Sequence, residues 1–109
     1  MSELKDTMKK LLDFRNQRDW KQFHNSKDLA LAISIEASEL LELFLWKDSE
    51  DVDEEKLKEE LADILSFCLY LAHNHNLDIN DIILKKIEKN NNKYPVEKAK
   101  GTAKKYTEL

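Results

Sequence analysis

The single proline, Pro95, and the single glycine, Gly101, both fall near the C-terminal end of the chain. Everything before them lacks the two residues that most readily interrupt a helix, so long helices are expected rather than strands and tight turns. Apolar spacing agrees. Leu4, Met8, Leu11 and Leu12 recur at i, i+4, i+7 and i+8, predicting a first helix over about Glu3 to Gln17 with Ser2 as its cap. The run DWKQFHN (residues 19–25) breaks that rhythm and puts Trp20, Phe23 and His24 in a connection. A second helix is expected after Asn25 or Ser26, with Asp28 in its first turn near the positive dipole end. It should continue to about Trp46, with Leu29, Ile33, Leu40 and Leu43 on one face and Leu31 and Ile35 on another, as in a helix packed on both sides.

The polar, acidic segment 47–55 reads as a loop. A third helix is expected from about Glu54 to His75, on the stripe Leu57, Leu61, Ile64, Leu65, Cys68, Leu71 and Ala72, with Asn76 able to take a left-handed C-terminal position. A fourth, about Asp81 to Asn91, is capped by Asp78 or Asn80, turns Ile83, Leu84 and Ile87 inward and is stopped by Tyr94-Pro95. The lysine-rich stretch 96–109 is either a short docked helix or loose. The expected fold is an all-α bundle of four to five helices forming one domain over 1–109. A chain of 109 residues buries a modest fraction of its surface, which favours assembly into a dimer or tetramer.

Two pairs of carboxylates intrude on these apolar stripes. Glu36 and Glu39 (IEASEL) stand three apart on the second helix, Glu60 and Asp63 (EELADI) three apart on the third. Residues at that spacing share a face, about 5–6 Å apart. Glu36 lies on the stripe of Leu29, Ile33 and Leu40, and Glu60 lies between Leu57 and Ile64. Inward carboxylates without compensation are costly, and a hard divalent cation with oxygen ligands supplies it. Mg²⁺ suits a site of a few carboxylates completed by water and phosphate, with Mn²⁺ able to substitute. A di-iron bundle wants Glu-x-x-His, and Tyr70 and Ala72 occupy the positions three before His73 and His75, which disfavours iron.

The formal charge of −4 is unevenly spread: residues 1–84 hold 10 Lys/Arg against 19 Asp/Glu (−9), and residues 85–109 hold 8 Lys against 3 Glu (+5). That is a poor nucleic-acid signature. It suits a site with a cation-binding end and a phosphate-binding end, or contact between oppositely charged subunits. Lys86, Asn90 and Lys93 share a face of the fourth helix and its end, where lysines can meet phosphate oxygens or simply form a solvated surface. Trp20, His24 and Trp46 can stack on or hydrogen-bond a base, or serve as packing. The lone Cys68 sits among leucines as an inert core thiol, and no apolar run approaches the roughly 18 residues of a membrane span. With no signal-peptide pattern, a cytoplasmic protein is expected.

The run DWKQFHNSKDLALAISIEASELLELFLWK, then EELADILSFCLYLA, LDI, KIEKNNNKYP and KKYTEL, resembles the all-alpha NTP pyrophosphatase superfamily, and within it the MazG-like, dCTP-pyrophosphatase-type branch. The resemblance runs in order from about Arg18 to Leu109. It implies a Mg²⁺-dependent hydrolase that cuts a nucleoside triphosphate between the α and β phosphates, in a homo-oligomer. It implies Glu36, Glu39, Glu60 and Asp63 as metal ligands, with Glu36 or Glu39 as general base. It further implies Lys86, Asn90, Lys93 and Tyr94 at the triphosphate, and Trp20, His24 and Trp46 around base and sugar. Phe67 stands at that site where relatives can carry Tyr, and Asn91 and Asn92 replace a more arginine-rich stretch. The favoured substrate is dCTP or a related pyrimidine deoxynucleotide. The competing readings are a dUTP-preferring or broad-specificity hydrolase, and a helical module that binds nucleotide or oligomerises without turnover.

Overall fold

The computed structural model describes residues 2–109 and contains helices and 3-10 turns but, among the described residues, no strand. It divides into two compact units, Met1–Asn76 and Leu77–Leu109.

The first unit carries three helices: α1 (Glu3–Gln17), α2 (Ser26–Glu42) and α3 (Glu54–Asn74). Each starts on a side chain that satisfies an otherwise free backbone N–H. Ser2 Oγ accepts from Lys5 N at 3.2 Å, Asn25 Oδ1 from Asp28 N at 2.9 Å, and Asp53 Oδ1 from Glu55 N and Lys56 N. Asp19 (φ 53°) and Asn76 (φ 54°) adopt the left-handed turns that leave α1 and α3.

α2 and α3 pack along each other, and α1 packs on α3. The α2–α3 pair is antiparallel, because the start of α2 meets the end of α3. Asn74 Nδ2 donates to the His24 carbonyl at 2.7 Å, and Ser26 Oγ lies 2.8 Å from His75 Nε2. The Tyr70 hydroxyl donates to the Leu11 carbonyl at 2.8 Å and ties α3 to α1.

α2 ends at Glu42, earlier than the apolar run suggests. From Leu43 to Lys47 the backbone tightens into i→i+3 hydrogen bonds, and Trp46 takes a left-handed conformation (φ 62°) with 94% of its surface exposed. The acidic segment after it holds a 3-10 turn over Ser49–Asp51.

The buried apolar core of the isolated chain is small: Leu29, Tyr70 and Ala72, joined by one buried charge, Arg15. Leu31 and Ile35 on α2, and Leu61 and Leu65 on α3, are exposed apolar groups. The second apolar face of α2 is therefore uncovered by the described residues of the first unit. Cys68 is half-buried, and burial raises its thiol pKa, as suits an unreactive thiol.

The second unit contains α4 (Ile79–Lys93), capped by the Asp78 carboxylate, which accepts from Asp81 N at 3.1 Å. It also contains the short α5 (Val96–Ala99) after Pro95 and a 3-10 turn over Tyr106–Glu108. α4 begins two residues before the sequence expectation and runs two beyond it, to the residue preceding Tyr94.

Candidate active site

The antiparallel α2–α3 pair brings three of the four expected carboxylates together. One oxygen each from Glu36, Glu60 and Asp63 lies within 4.8 Å of the other two. Glu36 and Glu60 are half-buried, and Oε2 of each is sealed from solvent with no hydrogen-bond donor. Asp63 is exposed.

The electrostatic consequence falls on Glu36, whose pKa is pushed up to about 7. The largest cause is a proton shared with Glu60, followed by burial, then hydrogen bonding to Glu39 and the charges of Glu39 and Asp63. In the fully ionised state that shared proton is gone, and each carboxylate keeps a buried oxygen with no donor to offset its charge. An all-oxygen donor set carrying this much negative charge fits a hard divalent cation. Glu39 adjoins Glu36 but stands outside the three-oxygen cluster.

Beside the carboxylates opens a cavity of about 380 Å³, within the range of small-molecule sites. It is lined by Leu11, Phe14, Trp20, His24, Asp63, Ser66, Phe67 and Tyr70. Asp63 thus belongs to both the carboxylate cluster and the cavity wall. The wall is built from aromatic contacts: Phe14 meets Trp20 edge-to-face at 5.7 Å, and His24 lies 4.9 Å from the Tyr70 ring and 6.4 Å from Phe67. Outside it the Arg18 guanidinium covers Phe14 at 3.8 Å and donates to the Phe14 carbonyl at 3.0 Å.

Trp20, His24 and Phe67, expected around base and sugar, therefore meet in one cavity. Trp46 does not line it. Four lining residues are not among the expected site residues, Leu11, Phe14, Ser66 and Tyr70, and neither is Arg15, which lies against the Tyr70 ring. Arg15 did carry a signal, since it stands at i+4 from Leu11 and i+7 from Met8, on the apolar stripe of α1.

In the second unit Lys86 lines a shallow hollow with Ile82, Lys85 and Lys89. Lys93 Nζ lies 4.9 Å from the Tyr106 ring, and Tyr94 meets the same ring edge-to-face at 6.1 Å. Asn90 is half-buried, and its carbonyl accepts from Tyr94 N at 2.8 Å. Of the four expected phosphate contacts, Asn90, Lys93 and Tyr94 thus stand at the C-terminal end of α4 and its exit, and Lys86 at the middle of the helix.

Comparison with known proteins identifies the family. Residues 31–109 match the MazG-like family. The chain is 38% identical to dCTP pyrophosphatase 1 of Bos taurus over 97% of its own length and 68% of that protein's. Against dCTP pyrophosphatase 1 of Homo sapiens it is 35% identical, covering 97% and 67% respectively. A crystal structure of a pyrophosphatase from Archaeoglobus fulgidus superposes with a TM-score of 0.78 at 36% identity, covering 87% of this chain and 94% of that one. By these matches the chain belongs to the MazG-like family.

Proposed function

We propose that the protein is a Mg²⁺-dependent nucleoside triphosphate pyrophosphohydrolase that releases pyrophosphate and a nucleoside monophosphate, with dCTP or a related pyrimidine deoxynucleotide as substrate. The observation that carries this reading is the cluster of Glu36, Glu60 and Asp63, with two sealed carboxylate oxygens, at the edge of an aromatic cavity. The name of the relatives, dCTP pyrophosphatase 1, supports dCTP as the first nucleotide to test.

Bound Mg²⁺ would lower the pKa of an attacking water and offset charge on the phosphates. Glu36, Glu60 and Asp63 would hold it, and their convergence on neighbouring turns of two packed helices keeps them in register without substrate. Water adds across the α–β phosphoanhydride: a new P–O bond forms to the water oxygen, and the bridging P–O bond breaks. Glu39, beside the cluster but outside it, is free to accept the water's proton. Glu36 is less suited to that task, because its carboxylate belongs to the cluster that would hold the cation.

Trp20 and Phe67 offer faces for the base, and His24, Asp63 and Ser66 offer polar contacts to base or sugar. Phe67 brings no hydroxyl to the site. The triphosphate is assigned to Lys86, Asn90, Lys93 and Tyr94 on the strength of their residue types and the N-x-x-x-Y-P motif. Residues 1–109 act as one functional domain, a reading supported by a family match that runs across the boundary at Asn76. The exposed Leu31, Ile35, Leu61 and Leu65 support a dimer or tetramer, since a monomer rarely leaves such faces in water. A nucleotide substrate supports a cytoplasmic location, and none of the described helices is long and apolar enough to cross a membrane.

The test is a pyrophosphate-release assay over a nucleotide panel with Mg²⁺. Turnover of dCTP or a related pyrimidine deoxynucleotide is expected. Absence of release from every nucleotide by folded protein refutes the hydrolase.

A further inference from the structure

Arg15 is 2% exposed, buried more deeply than any other charged residue described. Neither ion pair among the described residues involves it, and its Nε and Nη1 are sealed without a hydrogen-bond partner. Its guanidinium carbon lies 5.1 Å from the centroid of the Tyr70 ring. The same ring packs against His24, whose backbone carbonyl is pinned by Asn74. A buried, unpaired cation is costly, so its place behind a cavity wall calls for a reason.

The two ring nitrogens of His24 differ. Nδ1 is sealed without a partner; Nε2 is not sealed and makes no hydrogen bond among the described residues. We infer that Arg15 is a positioning residue for the nucleotide: it holds His24 in the tautomer with Nδ1 bare and Nε2 protonated, so that the cavity offers a hydrogen-bond donor at Nε2 to an acceptor on the base or sugar. A proton on Nδ1 would create a buried N–H with no acceptor in the field of a guanidinium. A lone pair there is stabilised by the same field.

His24 packs on Phe67 and Tyr70 of α3 and shares the cavity wall with Trp20 and Asp63, while Arg15 of α1 lies against the same Tyr70 ring. Burial first and Arg15 second lower the ring's pKa from the ordinary histidine value, which disfavours a second proton and leaves the choice of nitrogen.

This assignment rests on reading the cavity as the nucleotide site, and the two ideas can fail separately. The tautomer is read in the free protein by long-range ¹H–¹⁵N correlation NMR of wild type, R15M and R15K. Wild type and R15K should show an unprotonated Nδ1 and a protonated Nε2 for His24, and R15M should show the two forms exchanging. In steady-state kinetics with dCTP and Mg²⁺, R15M should raise KM about five- to tenfold and change kcat by less than about twofold, with R15K recovering most of the loss. A protonated Nδ1 in wild type, or an R15M protein with unchanged tautomer and KM, overturns the assignment. Should R15M fail to fold, the wild-type spectrum decides: a bare Nδ1 upholds it and a protonated one ends it. The expected tautomers in a protein without turnover would instead count against the hydrolase.

Discussion

Replacing Glu36 by Gln should make the cation-free protein more stable while removing its activity. The folded-state pKa, pushed up to about 7, stands well above the ordinary value of 4.5. At about 1.4 kcal/mol per unit this is near 3 kcal/mol, and exposed Asp63 and Glu39 are partly screened by water, so about 2 kcal/mol is the working figure. The sign follows from proton counting. Between pH 4.5 and 7 the folded protein holds a proton on Glu36 that the unfolded chain has released, so stability falls as pH rises through that window. Above pH 7 the whole penalty is present, and below pH 4.5 it is absent.

Gln keeps the size of the side chain and carries no charge. At pH 8 in a chelator, E36Q should melt roughly 8–15 °C above wild type at equal protein concentration, and the gap should close toward pH 4.5. Adding Mg²⁺ should raise the wild-type midpoint and leave E36Q nearly unmoved. Thermal unfolding followed by circular dichroism at pH 5 and pH 8 reads all of this. An E36Q protein no more stable than wild type at pH 8, or one that keeps full turnover, refutes the reasoning.

Asp63→Asn should lower kcat/KM for dCTP at least about a hundredfold, as expected for loss of a metal ligand that also lines the cavity; loss below tenfold in steady-state assays would remove Asp63 from the site. Leu65→Glu places a charge on the exposed apolar face of α3 and should shift the protein to monomer in sedimentation velocity at micromolar concentration; an unchanged assembly would show that this face is not an interface. Tyr70→Phe deletes the 2.8 Å hydrogen bond to the Leu11 carbonyl and should cost about 1 kcal/mol in urea unfolding, whereas an unaltered midpoint would mean that this bond does not couple α1 to α3.

Much of this molecule is legible in its residues because its helices begin at strong side-chain caps. Ser2, Asn25 and Asp78 each accept the hydrogen bond their positions suggest, and Asn76 takes the left-handed turn that Asn tolerates. The end of α2 is not legible, since Leu40, Leu41, Leu43, Phe44 and Leu45 continue an apolar pattern with no breaker. The tightening into i→i+3 bonds that carries Trp46 outward has no local mark. Spacing alone also pairs Glu36 with Glu39 and Glu60 with Asp63, but it cannot say which oxygens converge. Packing chooses Glu36, Glu60 and Asp63 and leaves Glu39 at the margin. Arg15 hides for the opposite reason: a charged residue on an apolar stripe is usually a snorkelling surface group, and only the fold shows that it is enclosed.

The most direct examination of the central claim is a crystal structure with Mn²⁺ and a non-hydrolysable dCTP analogue, read by anomalous scattering. An anomalous peak bonded to carboxylate oxygens of Glu36, Glu60 and Asp63, with analogue phosphate oxygens in its remaining positions, is the predicted result. A fully loaded crystal whose manganese lies elsewhere, with those three carboxylates turned apart, would contradict the account.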